Sequence, residues 1–172
     1  MKKIILLILI LSGLAGCKTY KEEFTNNIFL LPEGFDGAVF VFYDVPGKGE
    51  FKKENEYSII PVKTRVSEAL AGTPMGIYGA AFTSQKEQTG SPTVNDKYYY
   101  VDKDGKRTKV PDYCVSHTGG GGFSGEPVGG VTYRVSYVTN TGCGESFYLD
   151  GREQYHIQRH EISKEWSEYF GE

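Results

Sequence analysis

The chain has no basic surplus: 19 Lys and Arg stand against 22 Asp and Glu, a formal net charge of −3. No Lys/Arg cluster follows one face or alternates with aromatics as a phosphate-binding stripe would, which argues against a nucleic-acid partner. Long apolar runs are also missing. The one at Ile4 to Leu11 falls well short of the ~20 residues that cross a bilayer as a helix. The Gly-rich stretch 118–130 ends in no Gly-Lys-Ser/Thr and leads into no helix, so it has neither the lysine nor the dipole of a phosphate loop. There is no Gly-x-Ser-x-Gly elbow and no Ser-His-Asp order, and no internal repeat. Leucine and alanine become scarce beyond residue 16, while glycine (22) and tyrosine (13) are abundant, a bias toward strands and tight turns. A single, mainly β domain without a cofactor is expected.

The first residues carry a processing signal. Met1-Lys2-Lys3, the apolar Ile4 to Leu11 and the small residues before Cys17 have the order of a secretory signal peptide. Leu14-Ala15-Gly16-Cys17 resembles the bacterial lipobox, in which the cysteine thiol is acylated and becomes the first residue of the mature chain. The resemblance implies a signal peptide over 1–16, acylated Cys17 and a tether over 17–27, and a β domain over 28–172. Two or three acyl chains such as palmitate anchor stably, because each buried methylene contributes about 0.8 kcal/mol, so the membrane is an expected partner through that anchor. Lys18 stands where enterobacterial lipoproteins retained at the inner membrane carry aspartate, which favours the outer membrane. Lys21-Glu22-Glu23 reads as part of a solvated linker.

Order is expected from Ile28. Ile28 to Leu31 and Val39 to Tyr43, joined through Pro32-Glu33-Gly34, read as a first hairpin; Val39 to Tyr43 is apolar at every position and must be covered on both faces. Tyr57 to Val62 is a short strand that Pro61 confines to an edge or to its last pairing position. Arg65 to Ala71 suggests one or two helical turns, Ile77 to Phe82 a strand of small residues, and Gln85 to Asp96 a loop. Tyr98 to Pro111 is the clearest hairpin, with Asp102 and Asp104 as turn formers and Gly105 in the left-handed position. The glycines of 118–130 predict a mobile surface loop. Val131 to Thr139 alternates as a half-solvated strand. Asp150-Gly151-Arg152-Glu153 has capping-box spacing and opens a helix to about His160, with Ser163 placed to cap a second one.

Cys114 and Cys143 are the cysteines left once Cys17 is acylated, and an exported, oxidising compartment favours their pairing. Closing that loop stabilises by roughly 3 to 4 kcal/mol in the chain-entropy model. A Cys114 nucleophile with His117 is disfavoured, since three residues apart on a strand they point to opposite faces. His156 and His160 share a helix face at metal-ligand spacing. With His117 they define the alternative function, a zinc-dependent hydrolase, although Glu161 is off the shared face and no general base is evident.

The apolar-Leu-Pro-Glu-Gly-Phe-x-Gly-x-Val block, Tyr57-x-x-Ile60-Pro61, Tyr98-Tyr99-Tyr100-Val101-Asp102-x-Asp104-Gly105-Lys106-Arg107-x-x-Val110-Pro111 and Asp150-Gly151-Arg152-Glu153-Gln154-Tyr155 together resemble a family of uncharacterised bacterial lipoproteins. That resemblance implies a small antiparallel β-sandwich, prealbumin-like, with a short C-terminal helix, and no established activity. The expected function is a non-catalytic binding or structural domain of the cell envelope, its tyrosines offering stacking surfaces to an envelope glycan or protein partner.

Overall fold

The structure, a computed structural model, describes residues 25–88, 93–124 and 129–171. The predicted signal peptide, Cys17 and most of the tether lie outside these residues, as do positions 125–128 of the Gly-rich stretch. In chain order the strands are β1 (Asn27–Pro32), β2 (Gly37–Tyr43), β3 (Lys53–Glu54), β4 (Tyr57–Pro61), β5 (Lys63–Val66), β6 (Ile77–Phe82), β7 (Lys97–Val101), β8 (Arg107–Lys109), β9 (Val115–Phe123) and β10 (Val131–Val138). A 3₁₀ turn at Asp112–Cys114 precedes β9, and the helices α1 (Glu145–Asp150) and α2 (Glu153–Gly171) follow β10.

The strands form two sheets, β3-β4-β1-β7-β8 (sheet I) and β5-β6-β2-β10-β9 (sheet II), and α2 covers the outer face of sheet II. The mainly β, two-sheet architecture with a C-terminal helix is the expected one. β2 explains the layering. Its Val39 and Val41 pack between the sheets with Leu31, Ile60 and Val110, while Ala38, Phe40 and Phe42 pack under α2 with Tyr155, Ile162 and Phe170. A strand sandwiched between a sheet and a helix has no wet face, hence the unbroken apolar run.

Pairing within the sheets is mixed, where the sequence reading had only antiparallel strands. β1 runs parallel to β4 and β7, and β2 parallel to β6. The expected first hairpin is not one, because β1 belongs to sheet I and β2 to sheet II. The Pro32–Gly34 turn, with Gly34 at φ 71°, carries the chain between layers so that the inward faces of both strands meet in one core. Pro61 occupies the last pairing position of β4, opposite Leu30.

Three further expectations are corrected. Lys63–Val66 is an edge strand paired with β6, not helix; the turns begin only after Val66. α2 continues unbroken through Ser163, because Tyr155, Gln158, Ile162, Trp166 and Phe170 make one stripe at helical spacing and leave no reason to stop. The Gly-rich stretch is not a loop over its first half, since Val115–Phe123 is β9, paired with β10 as far as Phe123. Its glycines are there for close approach. Gly119 takes φ 92° where the register slips between Val135 and Ser136, a bulge that needs a left-handed residue. A Cβ on Gly121 would lie 2.6 Å from the Tyr133 hydroxyl, and one on Gly120 would strike the Tyr133 carbonyl oxygen.

Candidate functional site

The residues singled out in the sequence do not converge. Cys17 lies outside the described residues. Cys114 and Cys143 are bonded through their sulfurs, with Cα atoms 4.5 Å apart and 29 residues between them in sequence. The bond joins the start of β9 to the segment leaving β10, which antiparallel pairing already brings to one end.

The three histidines sit on two sides of sheet II. Paired residues of antiparallel strands point the same way, so His117 shares a side with its partner Ser136, and Ser116 with Tyr137. Ser136 faces sheet I, where its Oγ accepts a hydrogen bond from the Tyr98 hydroxyl at 3.0 Å. Tyr137 faces α2, where its hydroxyl lies 3.2 Å from Nδ1 of His156. The other ring nitrogen of His156 is 2.8 Å from the carbonyl oxygen of Asp150. The sheet therefore separates His117 from His156 and His160, and the predicted three-histidine zinc site is not formed. Among the described residues no group of His, Cys, Asp and Glu is arranged to hold a metal ion.

His117 instead shares a hollow of about 150 Å³ between the sheets with Asp96, Tyr98 and Ser136. Asp96 Oδ1 accepts from the backbone N–H of Asn27 at 3.1 Å and from its side-chain amide at 3.0 Å, fixing the start of β1. Desolvation raises the Asp96 pKa above the usual carboxylate value, against these hydrogen bonds. The walls of the hollow lower that of His117, with the Asp96 charge opposing. Serine, imidazole and carboxylate thus lie near one another, yet no hydrogen bond joins Ser136 to His117 or His117 to Asp96 among the described residues, so no proton relay is assembled.

A larger site lies at the end of the molecule where β2 and β6 finish. A groove of about 540 Å³ is walled by Phe82, Trp166 and Phe170, with Tyr169, Lys48 and Arg65 at its rim. Packing in the outer core sets the floor. The Trp166 ring lies 4.8 Å from that of Phe42, 5.2 Å from Phe82 and 5.2 Å from Phe170, and its indole N–H donates to the Tyr78 hydroxyl at 3.1 Å. Burial raises the Tyr78 pKa, with the Trp166 hydrogen bond and the Arg65 charge opposing. The Arg65 guanidinium stands 4.8 Å over the Phe82 ring and 5.5 Å from that of Trp166; the Lys48 ammonium is 5.8 Å from Phe82.

A second hollow of about 250 Å³ adjoins the groove, sharing Lys48, Arg65 and Phe82 and adding Lys63 and Phe51. Lys48 and Arg65 therefore flank the aromatic floor, with Lys63 in the hollow beside it. The ion pairs among the described residues involve Arg107, Lys109 and Arg134, none of them at the groove. The nearby Glu165 carboxylate is engaged, accepting from the Ser67 hydroxyl at 2.6 Å and the Ala69 N–H at 2.7 Å. Sequence reasoning did not find this site, whose residues come from a turn, an edge strand, a strand end and the last turns of a helix. The signal within reach was the cluster Trp166, Tyr169 and Phe170 at the end of a helix.

Comparison with known proteins places the chain without giving it an activity. No curated protein matches the sequence. A crystal structure of a Bacillus anthracis protein, described only as a candidate lipoprotein, is similar, with a TM-score of 0.64 and 28% identity over 86% of this chain and 98% of that one. Residues 23–147 match the model of the family of unknown function DUF6843, a stretch that holds Lys48, Arg65 and Phe82 but stops before α2. With most of its length so matched, the chain belongs to the DUF6843 family.

Proposed function

We propose that this chain is a lipid-anchored, non-catalytic binding domain of the bacterial cell envelope, held through acylated Cys17 and binding its partner in the groove between β5 and the end of α2. The observation that carries the binding role is the groove: a half-buried aromatic floor with Lys48 and Arg65 beside it, Lys63 in the adjoining hollow, and no ion pair to these cations among the described residues. Large aromatic rings and cations at a concave surface are the features of a recognition site. The lipobox at Leu14–Cys17 supports the anchor, and the likeness to a candidate lipoprotein supports an envelope address; Lys18 favours the outer membrane.

Two measurements test this reading. Intact-mass analysis of the membrane fraction should find a chain that begins at Cys17 and carries acyl groups, and Cys17→Ser should release the protein from that fraction. A full-length, unmodified species would overturn the anchor. For the groove, Arg65→Glu should abolish binding to envelope material while lowering the thermal unfolding midpoint by only a few degrees, the loss expected from its cation–π contacts. Undiminished binding by that variant would remove the groove from the function.

A further inference from the structure

The groove and the departure of the N-terminal segment lie at the same end of the fold. β2 and β6 run side by side toward that end and finish at Tyr43 and Phe82. Thr25, the first described residue, lines a small hollow with Tyr43, Gln85 and Lys86. Gln85 ties this hollow to the groove region, its side-chain oxygen accepting from the Phe51 N–H at 3.1 Å and its carbonyl from the Asp44 N–H at 2.9 Å. Only residues 18–24 separate Cys17 from Thr25. The eight steps from Cys17 to Thr25 reach at most about 29 Å fully extended, so an acylated Cys17 holds this end of the domain within that distance of the bilayer. The turn at Pro32–Gly34 is a further six-residue strand away, about 20 Å at the usual rise.

The groove's chemistry matches the surface that the tether imposes on it. Among the described residues no Asp or Glu lines the groove or the adjoining hollow, and neither does any Asn or Gln. These are the side chains that read sugar hydroxyls, so the lining suits phosphate better than a glycan. Arg65, its guanidinium over the Phe82 ring and near that of Trp166, has no ion-pair partner among the described residues, which leaves its N–H edge for the planar, bidentate contact that guanidinium makes with phosphate, with Lys48 and Lys63 alongside as point charges. Tyr169 is 71% exposed, and Trp and Tyr are the residues that settle at membrane interfaces, ring in the headgroup layer and polar atom in water. We infer that the groove seats the headgroup of an anionic phospholipid, so that the anchored domain lies with this end docked on its own membrane. This deepens the function proposed above and rests on acylation of Cys17.

Trp166 is the only tryptophan of the chain and reports on the groove directly. The acylated protein is reconstituted on vesicles of phosphatidylcholine alone and on vesicles that also contain phosphatidylglycerol, each with or without brominated acyl chains. Flotation with plain phosphatidylcholine vesicles tests the anchor independently: a protein that does not float lacks it, and the docking inference falls with it. For a protein that floats, docking predicts a blue-shifted Trp166 emission quenched by brominated lipid when phosphatidylglycerol is present. The effect should be weakened by salt and lost in a Lys48→Glu, Arg65→Glu double variant that still floats. Arg65→Lys should retain it in part. A floating protein whose Trp166 is quenched equally, or not at all, in both vesicle types would overturn docking while leaving the anchor intact. So would a Trp166 shift produced by a soluble anionic glycan and not by anionic vesicles, which would make the groove a glycan site.

Discussion

The two faces of sheet II are packed in different ways. Toward sheet I the filling is largely aliphatic, with Leu31, Val39, Val41, Ile60, Val110 and Val138 fully or almost fully buried. Toward α2 it is largely aromatic, with Phe40, Phe42, Tyr133, Tyr137 and Tyr155 in the same state. Two pleated sheets approach at about 10 Å, a gap that branched aliphatic side chains fill. The difference matters for function, because the aromatic layer runs on into the floor of the groove. Phe42 lies beneath Phe82, Trp166 and Phe170, so one strand position supports both the outer core and the floor of the groove.

The sharpest way to separate the layers is to empty each in turn. Phe42→Ala should cost about 3–5 kcal/mol and Leu31→Ala about 2–5 kcal/mol, read by chemical denaturation. Phe42→Ala alone should also shift the native Trp166 emission, since Leu31 faces the other layer. Equal changes in emission from both would mean that the layers are not separate.

The disulfide belongs to the inner layer, where Cys114 is buried. A Cys114→Ser, Cys143→Ser variant should lose roughly 3 to 4 kcal/mol and keep the groove's ligand response, because the bond lies at the far end of β10. Gly121→Ala tests the outer layer at its edge. The Tyr133 ring must move to admit a Cβ, at about 1–3 kcal/mol, whereas Gly105→Ala in the exposed turn meets no atom within 4 Å and costs only what its φ of 81° imposes. A smaller cost at Gly121 than at Gly105 would contradict the close-approach reading.

Acid stability probes the polar hollow of the inner layer. The His117 pKa is lowered on folding, so its contribution is intact above the ordinary histidine value of about 6.5 and is lost as pH falls from there through its folded pKa. Asp96, raised by burial, acts in the opposite sense: its contribution is present below the ordinary carboxylate value and lost as pH rises through its folded pKa. His117→Asn should therefore flatten the loss of stability below about pH 6.5. Asp96→Asn, which keeps an acceptor for Asn27, should flatten the loss on the rise from acid to neutral pH. The smallest effect is expected at Ser116, fully buried and without a hydrogen-bond partner for its hydroxyl among the described residues. Its replacement by Ala should change stability by about 0.5 kcal/mol or less, since no bond is broken and a desolvated hydroxyl is removed.

The sequence by itself determined the elements whose evidence is local. β2, β4, β6, the β7–β8 hairpin and β10 follow as strands from apolar runs, β-branching and turn residues within a few positions of one another, although β10, read as half-solvated, has no exposed residue, and the Asp102 carboxylate accepts from the Asp104 and Lys106 N–H groups at 2.9 Å as a turn former should. Tertiary structure decided the rest. Whether β1 pairs with β2 or crosses to another sheet depends on what covers each face, and no window of sequence contains that. Four glycines in a row can mean a loop or a strand passing under a large side chain, and the choice was made by Tyr133 on the neighbouring strand. The groove is the extreme case. Lys48, Arg65, Phe82 and Trp166 carry no shared motif and come from four separate segments, so their chemistry exists only once sheet II and α2 have packed together.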